Sequence, residues 1–268
     1  MEKIKVLMGI IRSNSGLSTY AVNLFRKMDK EAFDCTFLSN DPHPYFEQDI
    51  KDLGGHLEVI ASRNRHPKQH LEDLRKIMRE TKFDVCHIHL SSNSNICPIV
   101  EAKKAGIPIV IAHCHSTDVE GGGSFQRILH RINQKKLQKM DITRMACSKA
   151  AGKFAFGEAP FVVANNAIDV NQFDYSSDLR EKMRDQLGLQ NCFVVGQVGR
   201  LVPVKNHLYT LSLFQILQQK CPESRLLIVG DGALEQSLKQ KTEEMGMQSK
   251  VLFVGSVRNP EAYFNAMD

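Results

Sequence analysis

Apolar residues recur along this chain with two alternating periods. Short runs rich in β-branched and aliphatic residues occupy positions 3–9, 33–38, 57–60, 83–89, 108–113, 143–147 and 161–163. Runs this short, lying between polar stretches, predict strands. Between most of them apolar residues recur every three or four positions, which predicts helices over 70–80, 96–104 and 125–140. A further helix opens after Arg-Ser-Asn-Ser-Gly, with Leu17, Ala21, Leu24, Phe25 and Met28 on one face and Ser15 or Ser18 as its cap. Strands and helices that alternate in this way predict an α/β fold, a parallel sheet covered by helices on both faces.

The alternation stops once. Residues 164–178, ANNAIDVNQFDYSSD, are polar and irregular and predict a domain boundary, giving units 1–165 and 166–268. Beyond it the pattern restarts with a helix over 180–187 ended by Gly188 and a strand over 193–199. Helices at 207–219 and 234–245 then alternate with strands at 226–229 and 251–254. A last helix opens after Pro260 and is expected to be still running at Asp268. Three strands fall short of the roughly five or six usual in a sheet, so the second unit is expected to be incomplete.

Composition narrows the class. Of 268 residues 42% are hydrophobic and 24% charged, as in globular proteins. No apolar run reaches the ~18–20 residues of a membrane span. The opening MEKIKVLMGII has a short apolar run, no small-residue cleavage site, and continues into Arg12. A cytoplasmic protein is the expectation. The seven cysteines are scattered without a CxxC pair, which predicts reduced core thiols. A net charge of +5 favours anionic partners and, by itself, leaves nucleic acid, anionic lipid and nucleotide open.

In open α/β sheets ligands bind at the carboxyl ends of the strands. The most informative of these ends is VVGQVGRLVPVKNH, residues 194–207. There a buried-strand pattern presents Arg200, turns at Pro203 and delivers Lys205 where a helix opens. An arginine fork and a lysine point charge across such a turn can grip a diphosphate; the alternative is a surface ion pair. Gly16, and Gly230 with Gly232, stand where backbone N–H groups can approach phosphate oxygens, although glycine in a βα turn commonly serves the turn alone. Neither place carries a dinucleotide fingerprint.

Two His-x-His pairs, His87/His89 and His113/His115, each put both imidazoles on one face of a strand. A metal site would need a third ligand such as Asp118 or Cys114. No carboxylate stands at a tight spacing, so no metal is assigned. The first pair reads as polar capping of a strand end. The second, in His-Cys-His-Ser-Thr-Asp, is positioned to hydrogen-bond a sugar hydroxyl or a transferring group. Gly121, Gly122 and Gly123 form a loop that either closes over a substrate or simply links elements. In the helix over 125–140, Arg127, Arg131, Lys135, Lys136 and Lys139 alternate with Phe125, Ile128, Leu129, Ile132 and Met140. Such a helix either covers a core with a solvated basic face or docks on an anionic membrane, at about 1 kcal/mol per basic residue.

Taken together, VGRLVPVKNH (198–207), LLIVGDGALEQSLK (226–239), VLFVGSVRNP (251–260), NNAIDVNQF (165–173), ACSKAAGKFAFG (146–157) and IPIVIAHCHST (107–117) resemble the retaining glycosyltransferases of family 4. The resemblance runs from Met1 to Asp268. It implies the GT-B fold of two Rossmann-like, doubly wound domains, an acceptor-side domain over 1–165 and part of a nucleotide-sugar donor domain over 166–268. It further implies transfer of a sugar, with retention, from a nucleotide diphosphate donor, UDP-linked, to a glycan or lipid-linked acceptor in capsular or exopolysaccharide biosynthesis. No metal, other cofactor or nucleic-acid partner is implied; peripheral contact with the inner face of the plasma membrane rests on the basic helix over 125–140 alone.

By the same resemblance Arg200 and Lys205 bind the donor diphosphate and stabilise its charge as the sugar leaves. Gly16 lies near the donor phosphates and acceptor, and Val257 lies in the base-contacting loop. A histidine after the fifth strand contacts the sugar: His115, just before Ser116-Thr117, fits best, and His113 is the alternative. Two departures stand out. SNSGLSTY replaces the family's adjacent glycines, and its pair of glutamates spaced eight apart would follow Asp268. A chain without that pair is expected to be inactive by itself. A GT-B nucleotide-sugar 2-epimerase and a non-catalytic binding module are the competing readings.

Overall fold

The computed structural model describes residues 2–11, 15–119 and 123–268. They form two compact units, Met1–Ile168 and Asp169–Asp268, divided within the polar segment.

The first unit contains, in chain order, β1 (Ile4–Ile11), α1 (Gly16–Lys27), β2 (Phe33–Ser39), α2 (Glu47–Asp52), β3 (His56–Val59), α3 (Pro67–Glu80) and β4 (Val85–Leu90). There follow α4 (Cys97–Lys104), β5 (Ile109–Cys114), α5 (Ser124–Lys139), β6 (Thr143–Ala146), α6 (Lys149–Phe156) and β7 (Val162–Val163). All pairings are parallel, and the seven-stranded sheet has the order β3-β2-β1-β4-β5-β6-β7. The winding direction reverses between β1 and β4, so the crevice beyond their carboxyl ends is where such a sheet places a ligand.

Both faces of the sheet are buried. β1 sends Val6 and Met8 into one core with Phe25 and Phe37, and Leu7 into the other with Leu38, Leu74 and Ile88. This is the period-two alternation of a strand covered by helices on both sides. Ser15 is the residue that caps α1: its Oγ accepts from the Ser18 backbone N–H at 3.3 Å. Ser148 does the same for α6 through Ala151.

The second unit comprises α7 (Ser177–Leu187), β8 (Phe193–Val198), α8 (His207–Lys220), β9 (Ser224–Val229), α9 (Glu235–Glu244), β10 (Val251–Gly255) and α10 (Pro260–Ala266). Its parallel sheet has three strands in the order β10-β9-β8. Leu211, Phe214, Leu226 and Ile228 fill one face; Met183, Val194, Leu227 and Ala266 fill the other. α7 stops at Gly188, whose φ of 64° is the left-handed geometry that ends helices.

The last helix differs from expectation. It does not run to Asp268 but ends at Ala266, where Met267 turns to extended backbone. The Asp268 carboxylate accepts from the Arg180 and Arg184 guanidiniums at 2.5 and 2.6 Å and from the Val194 N–H at 2.8 Å. That pull back onto β8 supplies the stop which the helical periodicity does not show.

Phe37 is fully buried against Phe25, ring centroids 5.3 Å apart. Phe37→Ala should cost the first unit about 3–5 kcal/mol in urea unfolding; a loss below 1 kcal/mol would contradict this packing.

Candidate functional site

Two clusters of chemistry-bearing residues stand at the carboxyl ends of the strands, one in each unit. In the second unit the loops after β8 and β9 are stitched together by backbone hydrogen bonds. Gly199 N–H donates to Val229 O at 2.9 Å, Leu201 N–H to Asp231 O at 2.7 Å, and Leu234 N–H to Leu201 O at 3.0 Å. Leu201 is fully buried and pins the turn. Arg200, between these anchored residues, is exposed.

Lys205 closes a short 3-10 turn, Pro203–Lys205, and Asn206 follows in left-handed geometry with φ 51° before α8 begins. Gln197 Nε2 donates to the Lys205 carbonyl at 2.8 Å, and Thr210 Oγ1 donates to Gln197 Oε1 at 2.7 Å. The backbone beneath Lys205 is thereby fixed while its side chain stays exposed. Among the described residues neither Arg200 nor Lys205 makes an ion pair. Two cations held on one loop without a protein counter-charge form a place where an anion gains from both.

Gly230 and Gly232 have their own reason to be glycine. Their φ angles are 136° and 154°, and a Cβ on them would lie 2.2 Å from Gly199 O and 2.5 Å from Leu201 O. They let the β9–α9 loop press against the β8–α8 loop. Gly230 N–H also donates to Gly255 O at 2.8 Å, and Val257 packs partly buried against the unit's core.

In the first unit the two histidine pairs come together. β4 and β5 pair so that His89 stands beside His113, with His87 two residues back on the same face. His87 Nε2 lies 3.2 Å from His113 Nδ1, and His89 Nδ1 lies 3.0 Å from His115 Nε2. His115 Nδ1 is 3.2 Å from Asn166 Oδ1. The Tyr20 ring of α1 packs against His89, His113 and His115 at 5.7, 5.1 and 4.8 Å. His87, His89 and His113 are buried, whereas His115 is partly exposed and is the member of its pair that reaches solvent.

Burial pushes the His87 imidazole down to about 4 and the His113 imidazole down to about 3; it also lowers His89 and His115. At neutral pH the cluster is therefore uncharged, suited to hydrogen bonding or to ligating a metal rather than to holding an anion. His87, His89 and His113 can bring three ligand nitrogens within 4.8 Å of one another. The third ligand thus comes from the other strand of the sheet. Asp118 instead pairs with Arg127 at 3.0 Å, and the buried Cys114 thiol donates to Ser116 O at 3.4 Å.

Gly16 is the exposed first residue of α1, beyond the end of β1. Gly121 and Gly122 lie outside the described residues; Gly123 is the residue before α5. On α5, Phe125, Ile128 and Ile132 are 67%, 56% and 57% exposed. This part of the apolar stripe faces outward, while the helix covers the core through its C-terminal half, with Leu137 and the adjoining Met140, and buries His130. Among the described residues no helix is long and apolar enough to cross a membrane.

Tyr20, Asn166, Gln197 and Thr210 were not singled out by sequence reasoning. Tyr20, Asn166 and Gln197 act by hydrogen bonding or ring packing onto a residue that was, and Thr210 acts through Gln197; no local pattern marks such a partner.

Comparison with known proteins shows relatives of this chain in sequence and in fold. A family model described as Glycosyltransferase Family 4 matches residues 14–171, and one described as Glycosyl transferases group 1 matches residues 180–268. EpsF of Bacillus subtilis (strain 168), which is named as a glycosyltransferase, is 28% identical over 264 residues, 94% of this chain and 68% of its own. The UDP-Gal:alpha-D-GlcNAc-diphosphoundecaprenol alpha-1,3-galactosyltransferase of Escherichia coli is 28% identical over 265 residues, 90% of this chain and 65% of its own. The chain thus spans about two thirds of the length of these curated relatives. The crystal structure of Anabaena Alr3699/HepE in complex with UDP and glucose superposes with a TM-score of 0.81 at 18% identity, covering 100% of this chain and 73% of that one. The crystal structure of WaaG, a glycosyltransferase involved in lipopolysaccharide biosynthesis, gives 0.66 at 13% identity, covering 99% and 73%. The fold is of the GT-B type.

Gly232→Ala should destabilise the second unit by more than about 1 kcal/mol in denaturant unfolding, because its φ and the Leu201 carbonyl both oppose a Cβ. Gly16→Ala, with nothing within 4 Å of the new Cβ, should stay within about 0.5 kcal/mol of the parent. Equal effects at the two positions would overturn the assigned role of Gly232.

Proposed function

Because the chain belongs to Glycosyltransferase Family 4, we propose that it acts in transferring a sugar from a nucleotide diphosphate donor, UDP-linked, to a glycan or lipid-linked acceptor with retention of configuration. In this reading the unit from Asp169 onward is the donor side and the preceding unit the acceptor side. The observation that carries it is the Arg200–Lys205 loop: two exposed cations on a stitched backbone at the carboxyl end of a parallel sheet.

When the glycosidic bond to the donor breaks, negative charge builds on the departing diphosphate. Arg200 offers a planar fork of donors and Lys205 a mobile point charge, and both interactions strengthen as that charge grows. Lowering the energy of the leaving group in this way requires no metal. Gly16, at the first turn of α1, offers backbone N–H groups to phosphate or acceptor oxygens. His115 is the histidine assigned to the sugar. Gly230 and Gly232 set the loop beneath the phosphates, and Val257 belongs to the segment assigned to the base.

A polyprenyl-linked acceptor agrees with the name of the Escherichia coli relative, and UDP as the donor's nucleotide agrees with that name and with the ligand in the Anabaena structure; the acceptor glycan is proposed to be part of a capsular or exopolysaccharide. The outward stripe of Phe125, Ile128 and Ile132, beside Arg127, Arg131, Lys135, Lys136 and Lys139, suits an anionic lipid surface at the inner face of the membrane.

Calorimetric titration with UDP tests the donor site. The parent chain should bind it, and Arg200→Ala or Lys205→Ala should each weaken binding by about 10-fold or more, as expected for a hydrogen bond to a charged group worth roughly 1.5–3 kcal/mol. Unchanged affinity in Arg200→Ala would remove the diphosphate assignment. For the membrane contact, Ile128→Glu should reduce co-sedimentation with phosphatidylglycerol vesicles several-fold at low salt. Parent and variant sedimenting alike would argue against it.

A further inference from the structure

We propose that His87, His89 and His113 form a binding site for one divalent transition-metal ion of the zinc, cobalt and nickel class, adjoining His115, the histidine assigned to the sugar, with His113 acting as a ligand rather than as the alternative sugar contact.

The first support is placement. His89 and His113 are cross-strand neighbours on β4 and β5, and His87 shares their face of the sheet. One nitrogen from each lies within 4.8 Å of the others. Two ligand nitrogens each about 2.0–2.1 Å from a tetrahedral metal stand about 3.3 Å apart. Without an ion His87 Nε2 and His113 Nδ1 share a hydrogen bond at 3.2 Å; an ion that sends the shared proton to the outer nitrogen of its ring would meet both nitrogens at about that spacing.

The second support is an unsatisfied atom. Asn166 Oδ1 accepts from His115 Nδ1–H, so His115 Nε2 must accept from His89 Nδ1–H. That tautomer leaves His89 Nε2 as a bare lone pair, and it is buried with no hydrogen-bond partner in a residue only 4% exposed. Second-layer partners that fix the other ring nitrogen and raise ligand basicity are what metal-binding histidines ordinarily have, and the His115–Asn166 relay supplies one.

The third support is chemical. Three imidazoles without a carboxylate suit borderline cations and offer nothing to magnesium or calcium, which take oxygen ligands. A metal there would tie β4 to β5 at their carboxyl ends beneath Tyr20 and hold the tautomer of His115 indirectly through His89.

The test uses the full chain, stripped with chelator and titrated with Zn²⁺, Co²⁺ and Mg²⁺. Zn²⁺ should bind at one ion per chain and raise the melting temperature, Co²⁺ should show tetrahedral ligand-field bands, and Mg²⁺ should do neither. His89→Gln should weaken Zn²⁺ binding at least tenfold, while His130→Gln, buried elsewhere in the same unit, should leave it intact. Imidazole ¹⁵N spectra of the unmutated chain place the ion without relying on a variant: shifts at His87, His89 and His113 support the site, whereas shifts confined to exposed His43 and His66 overturn it. Absence of Zn²⁺ binding, or equal binding by His89→Gln, overturns it too. UDP titration is a separate readout, so loss of the donor reading and loss of the metal site remain distinguishable.

Discussion

Parallel pairing constrains this molecule more than any other interaction. Strands that all run one way place every carboxyl end on one edge of the sheet, and the chain must return across a face each time, usually as a helix. Both faces are then covered, so the strands themselves become almost wholly apolar and polar chemistry is driven to the edge. Arg200, Lys205, Gly230 and Gly232 collect at such an edge in one unit; Gly16 and the four histidines collect at that of the other. Neither group is contiguous in sequence.

The two edges use opposite electrostatic strategies. The β8–α8 loop keeps its cations in water, where their charge carries no desolvation cost, and spends its hydrogen bonds on backbone position. The histidine cluster of the first unit is taken out of water, so its imidazoles stay neutral and must satisfy each other. A neutral, buried donor–acceptor array and an exposed cationic pair are complementary tools: one can discriminate hydroxyls or a soft cation, the other can neutralise a polyanion.

Much of this was legible in the sequence, for physical reasons. Strand and helix periods differ enough that β1 through β10 and the longer helices could be placed near their observed bounds. α2 escaped notice because six residues span less than two helical turns and show no clear period. The stop of α10 at Ala266 depends on Arg180 and Arg184, far earlier in the chain, which no local pattern can reveal. Each His-x-His pair was visible; their meeting was not, since it depends on the register between β4 and β5. Likewise the glycines of the β9–α9 loop looked like phosphate-facing positions, whereas their first constraint is the Gly199 and Leu201 carbonyls behind them.

The clamp of Gln197 on the Lys205 carbonyl has a thermodynamic consequence. It orders the main chain before any ligand arrives, whereas the Lys205 and Arg200 side chains are exposed to solvent. Each such side chain stands to lose up to about 2 kcal/mol of conformational entropy when it closes on an anion. The loop is thus preorganised in its backbone alone, and the net grip is weaker and more sensitive to ionic strength than two positive charges would suggest. In the proposed reading, where the loop releases a diphosphate after each encounter, unspent side-chain entropy is a built-in drive toward release.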